Sequence, residues 1–153
     1  MLGRRDEAEM ALDNLRDTFA MLPADATRDD KPLINTPESR LWFTESFVYA
    51  YLGDTNKTER AQQQALALYP PSYTHGPVEV ELLRALCHVR AGDVVGGVRQ
   101  AQEIMSGLTS AERIRPVVGL GHKVLEAVPV VDERHAAVAD FRACLATPNQ
   151  AED

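Results

Sequence analysis

The segment from Thr36 to Pro70 constrains the fold more than any other part of the chain, because it predicts two helices joined by a tight turn. Thr36 is a suitable N-cap, and Pro37 fits the first helical position, where its missing N–H would be unpaired in any case. The body from Leu41 to Leu52 is apolar on more than one side, as in a helix that packs between neighbours. Gly53-Asp54 ends this helix, since glycine readily adopts the left-handed conformation of a helix C-terminus.

The same pattern recurs on both sides of this segment. Gly92-Asp93 repeats the Gly53-Asp54 turn 39 residues later, and Gly3 precedes Gly53 by 50 residues. A period in the thirties with two helices per unit is typical of a helical solenoid. On this interpretation Gly3 is a turn residue and residues 1–22 form half a repeat, so we expect the chain to begin partway through a unit.

Helical periodicity predicts about seven helices in one all-α domain over residues 1–153. The first helix, residues 3–22, carries one apolar stripe formed by Ala8, Leu12, Leu15, Phe19 and Leu22. A loop over 23–35 follows, in which Pro32-Leu33-Ile34 is expected to pack on the helices. The remaining divisions are repeat units at 36–70 and 77–108, a terminal hairpin at 109–146 and a frayed polar tail from 147.

Three local signals refine the second half of the chain. Gly96-Gly97 lies inside a helical pattern, and we interpret the pair as a close helix–helix approach despite a cost of roughly 1 kcal/mol per glycine. Thr109 and Glu112 have capping-box spacing, with Pro116 as the alternative helix start. Asp132 is the predicted cap of the last helix.

Composition argues against a nucleic-acid-binding protein, a secreted protein and a membrane protein. The formal net charge of −7 repels phosphate backbones and argues against direct binding to nucleic acid. The N-terminus lacks a segment of signal-peptide type, and the longest apolar run, Phe47 to Leu52, is far shorter than the ~20 residues of a membrane helix. Cys87 and Cys144 fall in apolar helical patterns and are expected to be reduced, buried thiols. These features predict a cytoplasmic protein without membrane contact.

The cysteine and histidine residues lack the spacing of catalytic or metal-binding sites. Cys87 and His88 are adjacent on a helix and point about 100° apart, so they cannot pair with each other. No two histidines have i, i+4 spacing and no Cys-x-x-Cys occurs, so we predict no metal site. We therefore expect no enzymatic activity and no cofactor, with a hydrolase on a helical scaffold as a remote alternative.

The central unit resembles a tetratricopeptide repeat. The residues at the spacing of that repeat are Trp42, Ser46, Tyr49, Gly53-Asp54, Ala65 and Pro70. The unit departs from the pattern at Glu45, where leucine is usual, at Thr58, where alanine is usual, and at Gln62, where an aromatic is usual. The second unit keeps Ala85, His88, Gly92-Asp93, Gly97 and Ala101. The resemblance implies a superhelix of antiparallel helical hairpins in which Trp42 and Tyr49 are largely buried and Ala65 marks a close helix crossing.

A second resemblance concerns function. The phrases TESFVYAYLGD, AQQQALALYP and HVRAGDVVGGVRQA are similar to the helical C-terminal regions of actinobacterial transcriptional regulators that begin with a helix-turn-helix of the XRE type. This resemblance implies the sensor or oligomerisation domain of a regulator whose DNA-binding domain is absent from this chain. The expected partners are a protein or peptide, the missing N-terminal domain among them, and a second copy in a homodimer.

In a tetratricopeptide stack the first helix of each unit lines a concave groove. The resemblance therefore implies a binding strip formed by Arg40, Phe43, Phe47, Tyr51, Leu82, Leu86 and Arg90. We expect an apolar helix or peptide with an acidic group near one end to bind there. Two alternatives remain open, namely a small-molecule ligand enclosed by the same aromatic residues, and burial of the strip as ordinary core.

Overall fold

The computed structural model describes residues 2–28 and 36–147, and this part of the chain is helical. The seven α-helices are α1 (Leu2–Ala20), α2 (Glu38–Leu52), α3 (Thr55–Leu68), α4 (His75–Arg90), α5 (Val94–Ser106), α6 (Arg115–Glu126) and α7 (Ala136–Ala146). Short 3-10 helices lie at Ala24–Thr27, Ser110–Glu112 and Val130–Asp132, and no strand occurs in the described ranges. The predicted all-α fold of seven helices is confirmed. The expected packing of Pro32-Leu33-Ile34 and the tail from Pro148 onward lie outside the described residues.

The chain divides into two compact units, Met1–Thr74 and His75–Asp153. In the first unit α2 packs against α3, and α1 packs against α2. In the second unit α4 packs against α5 and α6, while α7 packs against α5 and α6. The second unit is therefore a stack of two helical hairpins, α4–α5 and α6–α7. The tetratricopeptide-like superhelix stays a prediction.

The two Gly-Asp segments adopt the same turn. Gly53 and Gly92 have positive φ values of 73° and 99°. The following aspartate N–H groups bond to the carbonyls of Tyr49 and His88, each at 3.0 Å, which satisfies the carbonyls left unpaired at the helix end. Each aspartate then caps the next helix, because its carboxylate accepts from the N–H of Lys57 at 3.2 Å or Gly96 at 3.0 Å. In both turns the glycine thus ends one helix, and the aspartate caps the next.

Several predicted boundaries are wrong by a few residues. Gly3 is not a turn residue but lies in the first turn of α1, where helical φ and ψ are required. Pro37 occupies the N-cap of α2 with an extended backbone and makes no side-chain cap bond. Thr36 therefore lies outside the helix, and its N–H donates to the Ala26 carbonyl at 2.8 Å. His135, and not Asp132, caps α7, because its Nδ1 accepts from the Ala137 N–H at 3.2 Å.

The capping box at Thr109 forms, but it opens a 3-10 turn and not α6. The backbone N–H and the hydroxyl of Thr109 both donate to Glu112 Oε2 at 2.8 Å. These bonds, the backbone one foremost, lower the pKa of the Glu112 carboxyl below its ordinary value. Helix α6 starts at Arg115 with Pro116 in its first turn, as the alternative start predicts.

The interiors of the two units differ in polarity. The second unit has an apolar core whose fully buried side chains include Val80, Leu82, Leu83, Val98, Met105, Val117, Val124, Val138 and Phe141. The first unit buries Tyr49, Ala61 and Ala65 together with the polar side chains of Ser39, Glu45, Ser46, Thr58 and Gln62. The predicted burial of Tyr49 is confirmed. Trp42 is half-buried and so less covered than Tyr49, and its indole Nε1 donates to exposed Glu38 at 3.1 Å.

Gly97 lies where α5 meets α4. A Cβ at Gly97 would lie 2.6 Å from the Ala85 carbonyl oxygen and 2.7 Å from Val89 Cγ2, which is closer than side chains tolerate. The predicted close approach is therefore confirmed at Gly97. Gly96 is exposed, and a Cβ there would meet the capping carboxylate of Asp93. The two neighbouring glycines thus satisfy different constraints.

Candidate functional site

Four of the predicted strip residues lie along one face of α2. Arg40 and Tyr51 are exposed, while Phe43 and Phe47 are half-buried. Their spacings of three and four residues place them side by side along the helix. The rings of Phe47 and Tyr51 pack with centroids 4.9 Å apart and planes tilted by 32°. Tyr51 keeps 41% of its surface exposed, so the tyrosine end of this ring pair is accessible to solvent.

The aromatic face is not the face that attaches α1. Glu45 and Tyr49 contact Arg16 of α1, and Ser46 and Ala50 are buried on α2. With 3.6 residues per turn, Phe47 points away from Glu45 and Tyr49, each two positions from it. Helix α2 therefore directs this aromatic face to a different side from the one that contacts α1.

Leu82 and Leu86 do not belong to an exposed strip. They are 0% and 1% exposed in α4, which packs against both α5 and α6 within the second unit. A helix with two neighbours needs apolar residues on more than one side, and these leucines meet that need. We therefore remove both from the candidate site. Arg90, the last residue of α4, is exposed at a helix C-terminus, where a cation is electrostatically favourable.

The structure reveals a polar cluster that the sequence analysis missed. The guanidinium of Arg16 donates from Nε to Glu45 Oε1 and from Nη2 to Glu45 Oε2, both at 2.7 Å. Nη2 also lies 3.2 Å from the Tyr49 hydroxyl, and Nη1 donates to Asp13 at 2.7 Å. Glu45 is only 2% exposed, so its carboxylate depends on this two-pronged pair for compensation of its lost hydration. Hydrogen bonds to Glu45 and then Tyr49 raise the pKa of Arg16, which keeps the guanidinium charged.

Further ion pairs continue this cluster toward the start of α3. Arg5 Nη2 lies 3.1 Å from Asp54 Oδ2, and Lys57 Nζ lies 3.3 Å from Glu9 Oε1. The Lys57 ammonium also sits 4.9 Å from the centre of the Tyr49 ring. We call the set formed by Arg5, Glu9, Arg16, Glu45, Tyr49, Asp54 and Lys57 the charged seam. It joins α1 to the first hairpin.

Two sequence signals point to the charged seam. Glu45 stands where the resembled repeat usually carries leucine, and an acid at a core position requires a partner. Arg16 lies four residues after Leu12 and three before Phe19, within the apolar stripe of α1. Neither signal predicts that Arg16 and Glu45 pair with each other, because these two residues are 29 positions apart.

No metal-binding cluster occurs in the part of the chain that the structure describes. No group of three or more His, Cys, Asp or Glu side chains there could hold a metal ion. Cys87 and Cys144 are both half-buried, which is less burial than their apolar helical patterns predict. Within the same residues, none of the helices combines the length and apolar character required to cross a bilayer.

Comparisons of the chain with protein-family models, curated proteins and solved structures gave no match.

Proposed function

We propose that this protein is a protein- or peptide-interaction scaffold with tetratricopeptide-like hairpins, and that it serves as the sensor or oligomerisation domain of a cytoplasmic transcriptional regulator. The observation that carries the proposal is the Phe47–Tyr51 ring pair on a face of α2 that does not attach α1. The hydration of exposed aromatic side chains is unfavourable, and such side chains are enriched at binding surfaces. The regulator role rests on the sequence resemblance alone.

The chemistry of the strip defines the expected partner. From Arg40 to Tyr51 the strip extends about 16 Å along the helix axis at 1.5 Å per residue, which is about three helical turns. Its aromatic part, Phe43, Phe47 and Tyr51, favours an apolar stripe on the partner. Exposed Arg40 at one end favours a carboxylate there. A short amphipathic helix with an acid near one end meets both requirements.

Selection of displayed peptides on the intact protein tests this proposal. We expect enriched sequences that carry apolar residues at helical spacing with Asp or Glu near one terminus. Binding of a selected peptide should weaken by about 2 kcal/mol or more in Phe47→Ala, because aromatic anchors dominate interface energies. Arg40→Ala should weaken peptides that carry the acid and leave neutral versions unchanged.

The matched control is Val131→Ala, since Val131 is a highly exposed apolar side chain far along the chain in the second unit. This variant should bind the selected peptides as the parent does. Equal affinities for the parent, Phe47→Ala and Tyr51→Ala would contradict the proposed surface.

A small-molecule sensor is the second candidate, and the half-burial of Phe43 and Phe47 favours it, because partly covered rings suit an enclosed apolar ligand. Native mass spectrometry of the purified protein distinguishes the two functions. A bound small molecule that is released on unfolding and lost in Phe47→Ala would support this candidate over the peptide scaffold.

A further inference from the structure

Helix α1 is attached to the first unit by charge more than by apolar contact. Of the α1 side chains that the structure describes, Leu12 alone is fully buried, at 3% exposed. Leu15 is exposed, and Ala8 and Phe19 are half-buried. The charged seam instead supplies three ion pairs from α1 to the hairpin, through Arg5, Glu9 and Arg16. Such an attachment is specific in register and modest in hydrophobic strength.

The connection between α1 and α2 is long. Residues 21–37 join the two helices, and an extended chain of that length spans more than about 50 Å at 3.3 Å per residue. Helix α1 itself measures about 28 Å at 1.5 Å per residue. The short 3-10 helix Ala24–Thr27 within this connection buries no residue, and the Ala26 carbonyl accepts from the Thr36 N–H at 2.8 Å. Opening the connection between these two residues therefore costs this hydrogen bond but little packing. The connection is therefore long enough for α1 to reach a neighbouring molecule.

We propose that α1 is an exchangeable helix, and that the charged seam receives α1 from a second copy of this chain to form a reciprocally exchanged dimer. A second copy offers the same guanidinium to Glu45 and Tyr49 and the same charges to Asp54 and Lys57. The ion pairs of the charged seam are thus reproduced between molecules, and no new surface has to be complementary. This inference depends neither on the aromatic strip of α2 nor on a regulatory role.

Charge reversal across the seam provides a direct test. Arg16→Glu places two carboxylates together, and Glu45→Arg places two guanidinium groups together, so each single variant repels its own α1. In a mixture, each variant supplies the charge that the other lacks. We expect native mass spectrometry of the mixture, with one chain isotope-labelled, to give a one-to-one heterodimer that neither variant forms alone.

The control for that test is the double variant Arg16→Glu/Glu45→Arg, which restores the pair within one chain. It should not form heterodimers with either single variant in preference to its own closed form. A mixture of the single variants that remains monomeric would overturn the exchange.

A measurement on the unaltered chain covers the case in which the single variants do not fold. Labelled and unlabelled protein are unfolded together, refolded at high concentration and treated with a carbodiimide, which joins amines to carboxylates in contact. Lys57 Nζ and Glu9 Oε1 lie 3.3 Å apart, so this pair should be cross-linked. We expect the dimer fraction to contain mixed-label Lys57–Glu9 peptides as abundant as same-label ones. Absence of a dimer fraction, or same-label peptides alone, would overturn the proposal.

Discussion

Whether a helix position in this fold requires glycine depends on which atoms lie within a few ångströms of its Cβ position. Gly97 faces the backbone of α4, since the carbonyl oxygen of Ala85 and the N atom of Val89 would lie 2.6 and 2.9 Å from an added Cβ. Gly119 in α6 has no atom within 4 Å of the same position. Both glycines are in helices, so intrinsic propensity penalises them alike. Only the first is required by packing.

We predict that Gly97→Ala destabilises the protein by about 1–3 kcal/mol, because the rigid backbone of α4 would have to move to admit the methyl group. Gly119→Ala is the matched control and should stabilise by up to ~1 kcal/mol through helix propensity. Urea denaturation followed by circular dichroism measures both changes. Equal effects of the two substitutions would show that α4 and α5 do not approach at Gly97.

Glu45 illustrates a different residue-scale rule. A carboxylate that is 2% exposed is tolerated because both of its oxygens accept from one guanidinium. Arg16 keeps its other edge accessible, since 39% of its side chain remains exposed. The pair therefore sits at the boundary between interior and solvent, where the Coulomb gain is retained while the cost of lost hydration is limited.

At the scale of elements, the two Gly-Asp turns are alike in backbone but differ in what their aspartates contact. Asp93 caps α5 through the Gly96 N–H. Asp54 caps α3 through the Lys57 N–H and also accepts from Arg5 of α1 at 3.1 Å. The aspartate of the second unit thus caps its own helix, whereas Asp54 of the first unit caps its helix and also contacts α1.

We predict that Asp93→Ala lowers the free energy of unfolding by about 1 kcal/mol, the usual value of an N-cap. Asp54→Ala should cost a further ~0.5–1 kcal/mol, because it also removes the exposed ion pair to Arg5. In an Arg5→Ala background the excess should disappear, and the double-mutant cycle by urea denaturation measures this directly. An undiminished excess in that background would mean that Arg5 does not contact Asp54 in solution.

At the scale of the whole molecule, the two units differ in how their interiors are stabilised. The first buries five polar side chains, whereas the buried side chains described in the second are apolar. Each buried polar group must regain in hydrogen bonds what it loses in hydration, so its net contribution is smaller than that of an apolar side chain. We therefore expect the first unit to unfold at the lower denaturant concentration.

Trp42 is the sole tryptophan of the sequence and lies in the first unit, so its fluorescence reports that unit alone. We predict a fluorescence midpoint at lower urea concentration than the midpoint of the helical circular dichroism signal. Val98→Ala, a truncation in the core of the second unit, should shift the later phase and leave the fluorescence midpoint in place. Coincident transitions that shift together in Val98→Ala would contradict independent units.

The helical class, the seven helices of the described residues, the two Gly-Asp turns and the close approach at Gly97 could all be predicted from the sequence. These features follow from local rules, since 3.6-residue periodicity, cap chemistry and the freedom of glycine act within one or two turns of chain. The same local rules placed Thr36 and Asp132 one to three residues from the true caps, because several neighbouring residues are competent to cap and the geometry of the connection selects among them.

Long-range packing sets which face of each helix is covered and which neighbour covers it. Periodicity groups Leu82 with Leu86, and Phe47 with Tyr51, in the same way, yet the leucines are core and Tyr51 is exposed. The pairing of Arg16 with Glu45 likewise joins residues 29 positions apart. The spacing of apolar residues predicts which side chains share a face of a helix. The element that buries this face is often distant in sequence, so no short stretch of sequence identifies it.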